Sequence, residues 1–491
     1  MKKYISRTIL AASVILATAC VDDITSLNVN PKAYQSGLVP EGPFFANASR
    51  NVVDAVTYGM SFKIWAQQYA ETTYFTTSNY TLTDVGSGFW STLYQSVLND
   101  LKESKKILLE NPSFYEGVDK NKLAQVEIME VYTYSLLVTT FGDIPYSGAL
   151  NTGLKSEALD PENLTPAYDD GEEVYSDLLN RLDAAIANLD PNADNGGDLG
   201  FGESDLLFGD DITLWVKFAN SLKLRMGMII SDSNPSLAKS VVESIDMADL
   251  ITSNSEVAQL QYLETTPNTN PIWVGLIQSG REDYVASNTM MDIMEAPAVD
   301  DPRIPEYYTL DNYGGYSGGT YGTSNAYVNF SKAGSKVTSP TWPGIIIDYA
   351  EVEFLLAEAL AKGFSVSGTV AEHYEKGIRA SMDYWGVASA AANLYIADSD
   401  VAYSTAIGGT AIQKIARQKY IAMFNRGFEA WGDYRRFDYP VFNTPPNPGG
   451  PFPLRYSYPV AEQTSNGESY TAAAAAIGRD DLDVRLFWDV K

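Results

Sequence analysis

The stretch DITLWVKFANSLKLRMGMIIS, residues 211–231, decides the fold class. Its apolar residues fall at Trp215, Phe218, Ala219, Leu222, Met226 and Ile229, the spacing that gathers side chains onto one face of an α-helix. Asp211 stands where an N-cap carboxylate belongs. The same period recurs at residues 89–109, 123–141, 168–189, 346–362, 370–384 and 411–431. Gly142, Asp190-Pro191 and Gly363 supply stop signals for three of these stretches. In 346–362, Ala350, Ala357 and Ala361 form a stripe of small residues that lets a second helix approach closely. The expectation is a mostly α chain of degenerate tetratricopeptide-like helix pairs packed against a loop-rich region with minor β. No clean 34-residue repeat is present.

Composition removes whole classes of function. Among 491 residues there are 34 Lys plus Arg, 62 Asp plus Glu, one His and one Cys, for a net charge of −28. Such a chain lacks the clustered cations that replace counterions on a nucleic-acid backbone. One cysteine excludes disulfides within the chain and Cys-rich zinc sites, and one histidine argues against His-dominated metal centres. With 45% hydrophobic residues the chain has ample material for a core. No Walker A loop, Gly-x-Gly-x-x-Gly turn or Gly-x-Ser-x-Gly elbow appears. His373 lies within a helix-period stretch, where a structural or solvent-facing role outweighs that of a general base. With so many acids, a carboxylate pair suited to glycoside hydrolysis is uninformative. Asp190-Pro-Asn192-Ala-Asp194-Asn-Gly196 starts like a calcium loop, but its glycine comes one place late and Phe201 stands where the twelfth-position Glu belongs. The expectation is no cofactor and an acidic turn, with structural calcium as the minor alternative.

Residues 1–19, MKKYISRTILAASVILATA, combine a basic leader with a short apolar stretch, the pattern of a secretory signal. Leu16-Ala17-Thr18-Ala19-Cys20 resembles a bacterial lipobox, which makes Cys20 the lipidation site. Val21-Asp22-Asp23 and a polar stretch follow, so residues 20–36 read as a flexible tether and 20–491 as one domain.

Two stretches break the helical period. Residues 71–88 are rich in Thr, Tyr, Ser and Asn, and residues 309–344 in Gly and Tyr, with Trp342 between prolines. Irregular insertions on a regular frame are where binding usually resides, and aromatic side chains are costly to leave idle in water. The candidate ligand contacts are Tyr74, Asn79, Tyr80, Tyr313, Tyr316, Tyr321 and Trp342, with Asp84, Asn312, Asn325 and Lys332 as further polar groups. Trp273, in Asn270-Pro-Ile-Trp-Val-Gly275, is a third candidate platform, balanced against a core role. Residues 443–453, NTPPNPGGPFP, read as a structural wrap.

Several separated motifs carry a family resemblance: Phe89-Trp90-Ser-Thr-Leu-Tyr94, Thr140-Phe-Gly-Asp-Ile-Pro-Tyr146, Trp215-Val-Lys-Phe-Ala-Asn-Ser-Leu-Lys-Leu-Arg225, Asp348-Tyr-Ala-Glu-Val-Glu-Phe-Leu-Leu-Ala-Glu-Ala359, Gln418-Lys-Tyr-Ile-Ala422 and Glu429-Ala-Trp-Gly-Asp-Tyr-Arg-Arg436. Together they resemble the SusD/RagB family of surface nutrient-binding lipoproteins. The resemblance implies a non-enzymatic protein, lipid-anchored through Cys20 on the outer face of the outer membrane. It would capture a glycan and deliver it to a SusC-like TonB-dependent transporter. The acidic surface favours a neutral glycan. Peptide capture, as in RagB-like members, is the alternative, with a surface glycosidase behind it. The motif residues themselves read as frame: Trp215, Phe218 and Leu222 share the buried face, while Arg435 and Arg436 pair with carboxylates or cap carbonyls. Trp90 and Trp385 read as core rather than as ligand platforms.

Overall fold

A computed structural model describes residues 39–81, 84–154, 156–193 and 197–491. The leader, Cys20, the 20–36 tether and Asp194 to Gly196 of the acidic turn lie outside them. Helices dominate, in the order α1 (Gly42–Tyr58), α2 (Met60–Trp65), α3 (residues 87–110), α4 (Glu116–Phe141), α5 (Gly171–Asn188), α6 (Ile212–Ile229) and α7 (Pro235–Glu243). A short helix, α8 (Pro271–Trp273), and α9 (Asn288–Met294) lead to α10 (Tyr349–Ala361), α11 (Val370–Trp385), α12 (Ala411–Ala422) and α13 (Gly427–Phe437). Among the described residues four strands form two small antiparallel sheets: β1 (Tyr69–Glu71) pairs with β3 (Tyr284–Ala286), and β2 (Ala258–Leu260) with β4 (Gly344–Ile347).

The opening stretch behaves as its period dictates. Asp211 caps α6, accepting from the backbone N–H groups of Thr213 and Leu214 at 2.9 and 3.2 Å. Trp215 is fully buried, its Nε1 donates to Asp205 at 2.7 Å, and Phe45, Phe208 and Phe218 surround its ring. Sequential helices lie against each other as α4/α5, α6/α7, α10/α11 and α12/α13, and α6 also meets α10. These are the expected helix pairs. Gly142 ends α4 with φ of +93°, where a side chain would also meet Leu486, so two constraints select glycine.

Two helix expectations are corrected. Residues 346 and 347 belong to β4, and α10 starts only after Asp348, whose carboxylate accepts from Glu351 N–H at 2.8 Å. Three consecutive isoleucines suit a buried strand as well as a helix, and pairing with β2 decides. The 411–431 stretch is two helices, α12 and α13, joined by a turn with Asn425 at φ +65°. Buried Lys63 holds that turn by donating to the Asn425 carbonyl at 2.6 Å and the Thr57 carbonyl at 2.7 Å. Only tertiary context supplies this donor. Within α3, residues Thr92–Leu98 form a π-helical segment.

The helix pairs enclose a network of charges. Arg225 makes a two-pronged contact with Glu351 at 2.6 and 2.8 Å, and Arg426 reaches Glu351 and, at 3.2 Å, Asp348. Burial alone would push the Glu351 carboxyl up, but the two guanidinium groups hold it well below the usual range. Arg436 pairs with Glu358 and donates to the Met228 carbonyl at 2.7 Å. Arg435 lies 3.3 Å over the Trp431 ring and donates to the Thr139 and Leu454 carbonyls. The expectation for both arginines is met. Trp90 and Trp385 are buried as well. His373 is buried between the Glu353 carboxylate at 2.5 Å and the Ser367 carbonyl at 2.8 Å. Burial opposes its protonation, but these two partners hold its pKa above the ordinary value. That is the structural role.

Candidate binding surface

The irregular stretches meet around the β1–β3 ladder, where Glu71 lies opposite Tyr284. Thr72 N–H donates to the Asp283 carbonyl at 2.9 Å, and its hydroxyl donates to the Glu282 carbonyl at 2.6 Å. The Glu71 carboxylate turns back into its own loop and accepts from Ser78 N–H at 2.8 Å and the Ser78 hydroxyl at 2.7 Å. Burial raises the Glu71 pKa, and these bonds oppose the rise. From the other stretch, Asn325 Nδ2 donates to the carbonyls of Glu71, Thr320 and Thr323 at 2.8, 3.0 and 2.9 Å, while Asn325 N–H donates to Thr72 O at 2.8 Å. Gly449 N–H, in the 443–453 wrap, donates to the Asn79 carbonyl at 2.7 Å. The two loops and the wrap therefore form one hydrogen-bonded frame.

That frame sorts the candidate residues. Tyr74 is 74% exposed and Tyr313 is 81% exposed, so both rings offer a face to a ligand. Trp273 ends α8 and is half-buried. Tyr80 and Tyr321 are buried, with ring centroids 6.3 Å apart and Phe452 against Tyr80. They are corrected from platforms to internal packing, because a buried ring has no face left for a ligand. Asn79 accepts from Thr81 N–H and hydroxyl through Oδ1 at 3.3 and 2.7 Å, which ties up its oxygen in the loop. Asn325 is committed to carbonyls in the same way. Tyr316 is half-buried against the core. Trp342 packs 5.1 Å from Trp385 and 5.9 Å from Tyr384, and its carbonyl accepts from Asn270 Nδ2 at 2.7 Å. It is a half-buried wedge between α11 and the α8 cap. Lys332 sits 5.0 Å over the Tyr327 ring, Asp84 accepts from the Ser87 hydroxyl, and Asn312 is exposed.

Three residues not picked from the sequence complete the surface. Tyr58, at the end of α1, is 44% exposed and lies so close to Gly275 that a Cβ there would come within 2.7 Å of its ring. Tyr284, on β3, is half-buried. Its phenol is shifted well above the ordinary value, first by burial and then by the neighbouring Tyr58 and carboxylates. Arg281 is exposed and ion-pairs with Asp283. The only sequence signal for Arg281 and Tyr284 is the polar run Gly280-Arg-Glu-Asp283 that leads into β3, and Tyr58 has none. Tyr284 and Arg281 thus sit with Tyr58 beside the ladder, while Tyr74 follows β1 by three residues and Trp273 precedes Gly275 by two. Rings of this kind desolvate an apolar face while guanidinium and amide groups satisfy a polar rim, which is binding chemistry.

Among the described residues no group of three or more His, Cys, Asp or Glu side chains could hold a metal ion, and no helix is long and apolar enough to cross a membrane.

No curated protein matches the chain. Solved structures do. A chitin-binding SusD homologue from Flavobacterium johnsoniae is 27% identical, with 91% of this chain and 98% of that one covered and a TM-score of 0.74. A SusD homologue from Bacteroides uniformis is 25% identical, with 91% and 99% covered and a TM-score of 0.75. One from Parabacteroides distasonis, 21% identical with 91% and 98% covered, shares the fold at a TM-score of 0.77. Residues 33–459 match the SusD-like family described as starch-binding and associating with the outer membrane, and with most of its length accounted for in this way the chain belongs to that family.

Proposed function

We propose that this protein is a surface receptor that captures a neutral glycan at the face around the β1–β3 ladder and passes it to a SusC-like TonB-dependent transporter. The observation that carries the reading is the grouping of Tyr58, Tyr284 and Arg281 at the β1–β3 ladder, with exposed Tyr74 on the loop that follows β1 and half-buried Trp273 two residues before Gly275. A sugar ring presents C–H groups on its faces and hydroxyls on its rim, and this face offers matching groups to both. The family description and the chitin-binding relative support the glycan class. The excess of acids supports a neutral rather than an acidic polymer. Lipidation at Cys20 would hold the body at the membrane, with the 20–36 stretch as tether.

Incubation with soluble starch, chitin oligomers and other neutral glycans tests the reading. Binding without new reducing ends is the expected result. Release of reducing ends would replace capture by hydrolysis, and binding of peptides alone would move the protein to the peptide-capturing branch. Co-purification with the transporter under mild detergent tests the partnership. Loss of membrane fractionation in Cys20→Ala, in cells lacking the transporter, tests the anchor.

A further inference from the structure

A cavity of about 360 Å³ opens between α3, Pro145, residues 158–166 and the helix Val460–Ser465. It shares no residue with the surface around the β1–β3 ladder. Its volume falls within the roughly 300–1,000 Å³ of small-molecule sites. Half-buried Tyr94 and the one accessible edge of the otherwise buried Trp90 line it from α3, with ring centroids 4.8 Å apart. Tyr94 and the exposed Gln95 sit in the π-helical segment Thr92–Leu98. Such widened turns recur at functional sites because they shift side chains out of α-helical register. Asn99 adds a second exposed amide.

The opposite wall is polar and mostly committed. Glu462 accepts from the Tyr168 hydroxyl at 2.6 Å, Lys102 donates to the Leu159 carbonyl, and Asn466 Nδ2 donates to the Pro166 carbonyl at 2.9 Å. Asn466 is only 4% exposed, and its Oδ1 is closed off from the cavity. An anion would meet Glu462 and Asp160, and a cation would meet Lys102. A neutral ring carrying hydroxyls, each both donor and acceptor, suits amides, carboxylate, ammonium and aromatic edge together.

We infer that this cavity is a second binding site, for one or two rings of a neutral sugar, distinct from the ladder surface. It shares the sugar chemistry of the proposed function but rests on its own residues, so each can fail alone. The test labels the full chain with 5-fluorotryptophan, assigns Trp90 and Trp273 by Trp→Phe variants, and titrates maltose, cellobiose and chitobiose while recording fluorine spectra. A saturable shift at Trp90 with at least one sugar is expected. Asn99→Phe, an exposed change that fills the mouth, should abolish that shift and leave any Trp273 response intact. A Trp90 signal silent to all three sugars overturns the second site, even where Trp273 responds. A Trp90 shift that survives Asn99→Phe unchanged overturns it too. A Trp90 shift with Trp273 silent supports the cavity and counts against the ladder surface.

Discussion

The helical interior and the ladder surface use polar side chains in opposite ways. Inside, Arg225, Arg426, Glu351 and Glu429 are buried together, each charge held by others in low dielectric. On the surface, Tyr74, Tyr313 and Arg281 stand out in water, and the bonds that order their loops run through backbone and through buried Glu71 and Asn325. The family motifs fall almost wholly in the first region. Trp215, Arg225, Glu351, Glu358, Glu429 and Arg436 are frame residues, so what makes the family recognisable says little about its ligand.

The comparison breaks most sharply at Glu351. Glu351→Gln should cost about 3–5 kcal/mol of stability, because Arg225 and Arg426 would keep their charge in the interior with their main partner gone. Chemical denaturation reads that loss, while binding by the folded fraction should be unchanged. Since the Glu351 carboxyl is held below its unfolded value, its contribution is present above the unfolded carboxylate range and disappears as pH falls toward the folded pKa. Acid should therefore destabilise the wild-type chain more than the variant.

On the surface the pattern should reverse. Tyr74→Ala and Trp273→Ala should each weaken glycan binding by about 1–2 kcal/mol, roughly tenfold, in calorimetry. Melting temperatures should hardly move, because Tyr74 is exposed and Trp273 is half-buried. A collapse in stability would place these rings with the interior. Trp342→Ala probes the boundary. It should cost about 1–2 kcal/mol of stability through lost contacts with Trp385 and Tyr384, with binding altered only weakly. A binding loss without a stability loss would return Trp342 to the list of platforms.

The smallest effect sharpens the electrostatic side. Burial lifts the Asp143 pKa to about 6, a rise that the Gly171 N–H bond only partly offsets. A carboxyl raised on folding keeps its proton in the native state when the unfolded chain has released it, so stability falls as pH rises toward 6 and stays lower above it. Asp143→Asn should raise the melting temperature at pH 8, and the difference should close below pH ~4, near the unfolded carboxylate value. A difference independent of pH would mean that packing, not charge, sets the effect.

Much of the frame was legible because helices bury stripes. The period in residues 211–231 and the capping Asp211 needed no tertiary information. The Ile345–Ile347 strand and the break at Asn425 were not legible, since partner strand β2 and donor Lys63 lie far away in sequence. The surface was read less well. Tyrosine suits a core and a wet face equally, so nothing local distinguishes buried Tyr80 and Tyr321 from exposed Tyr74 and Tyr313. Tyr58 was hidden because it ends a helix, and only folding brings it against Gly275.

The bonds from Asn325 to the 71–72 backbone, and from Gly449 to Asn79, have a consequence for how such receptors diversify. Those loops are ordered by main chain and by inward-facing amides, while the outward positions 74 and 313 hold nothing in place. On the proposed reading, substitution there would change what the surface grips without loosening the grip's support. A lineage facing a new ligand could alter these positions one at a time, each step leaving a folded protein.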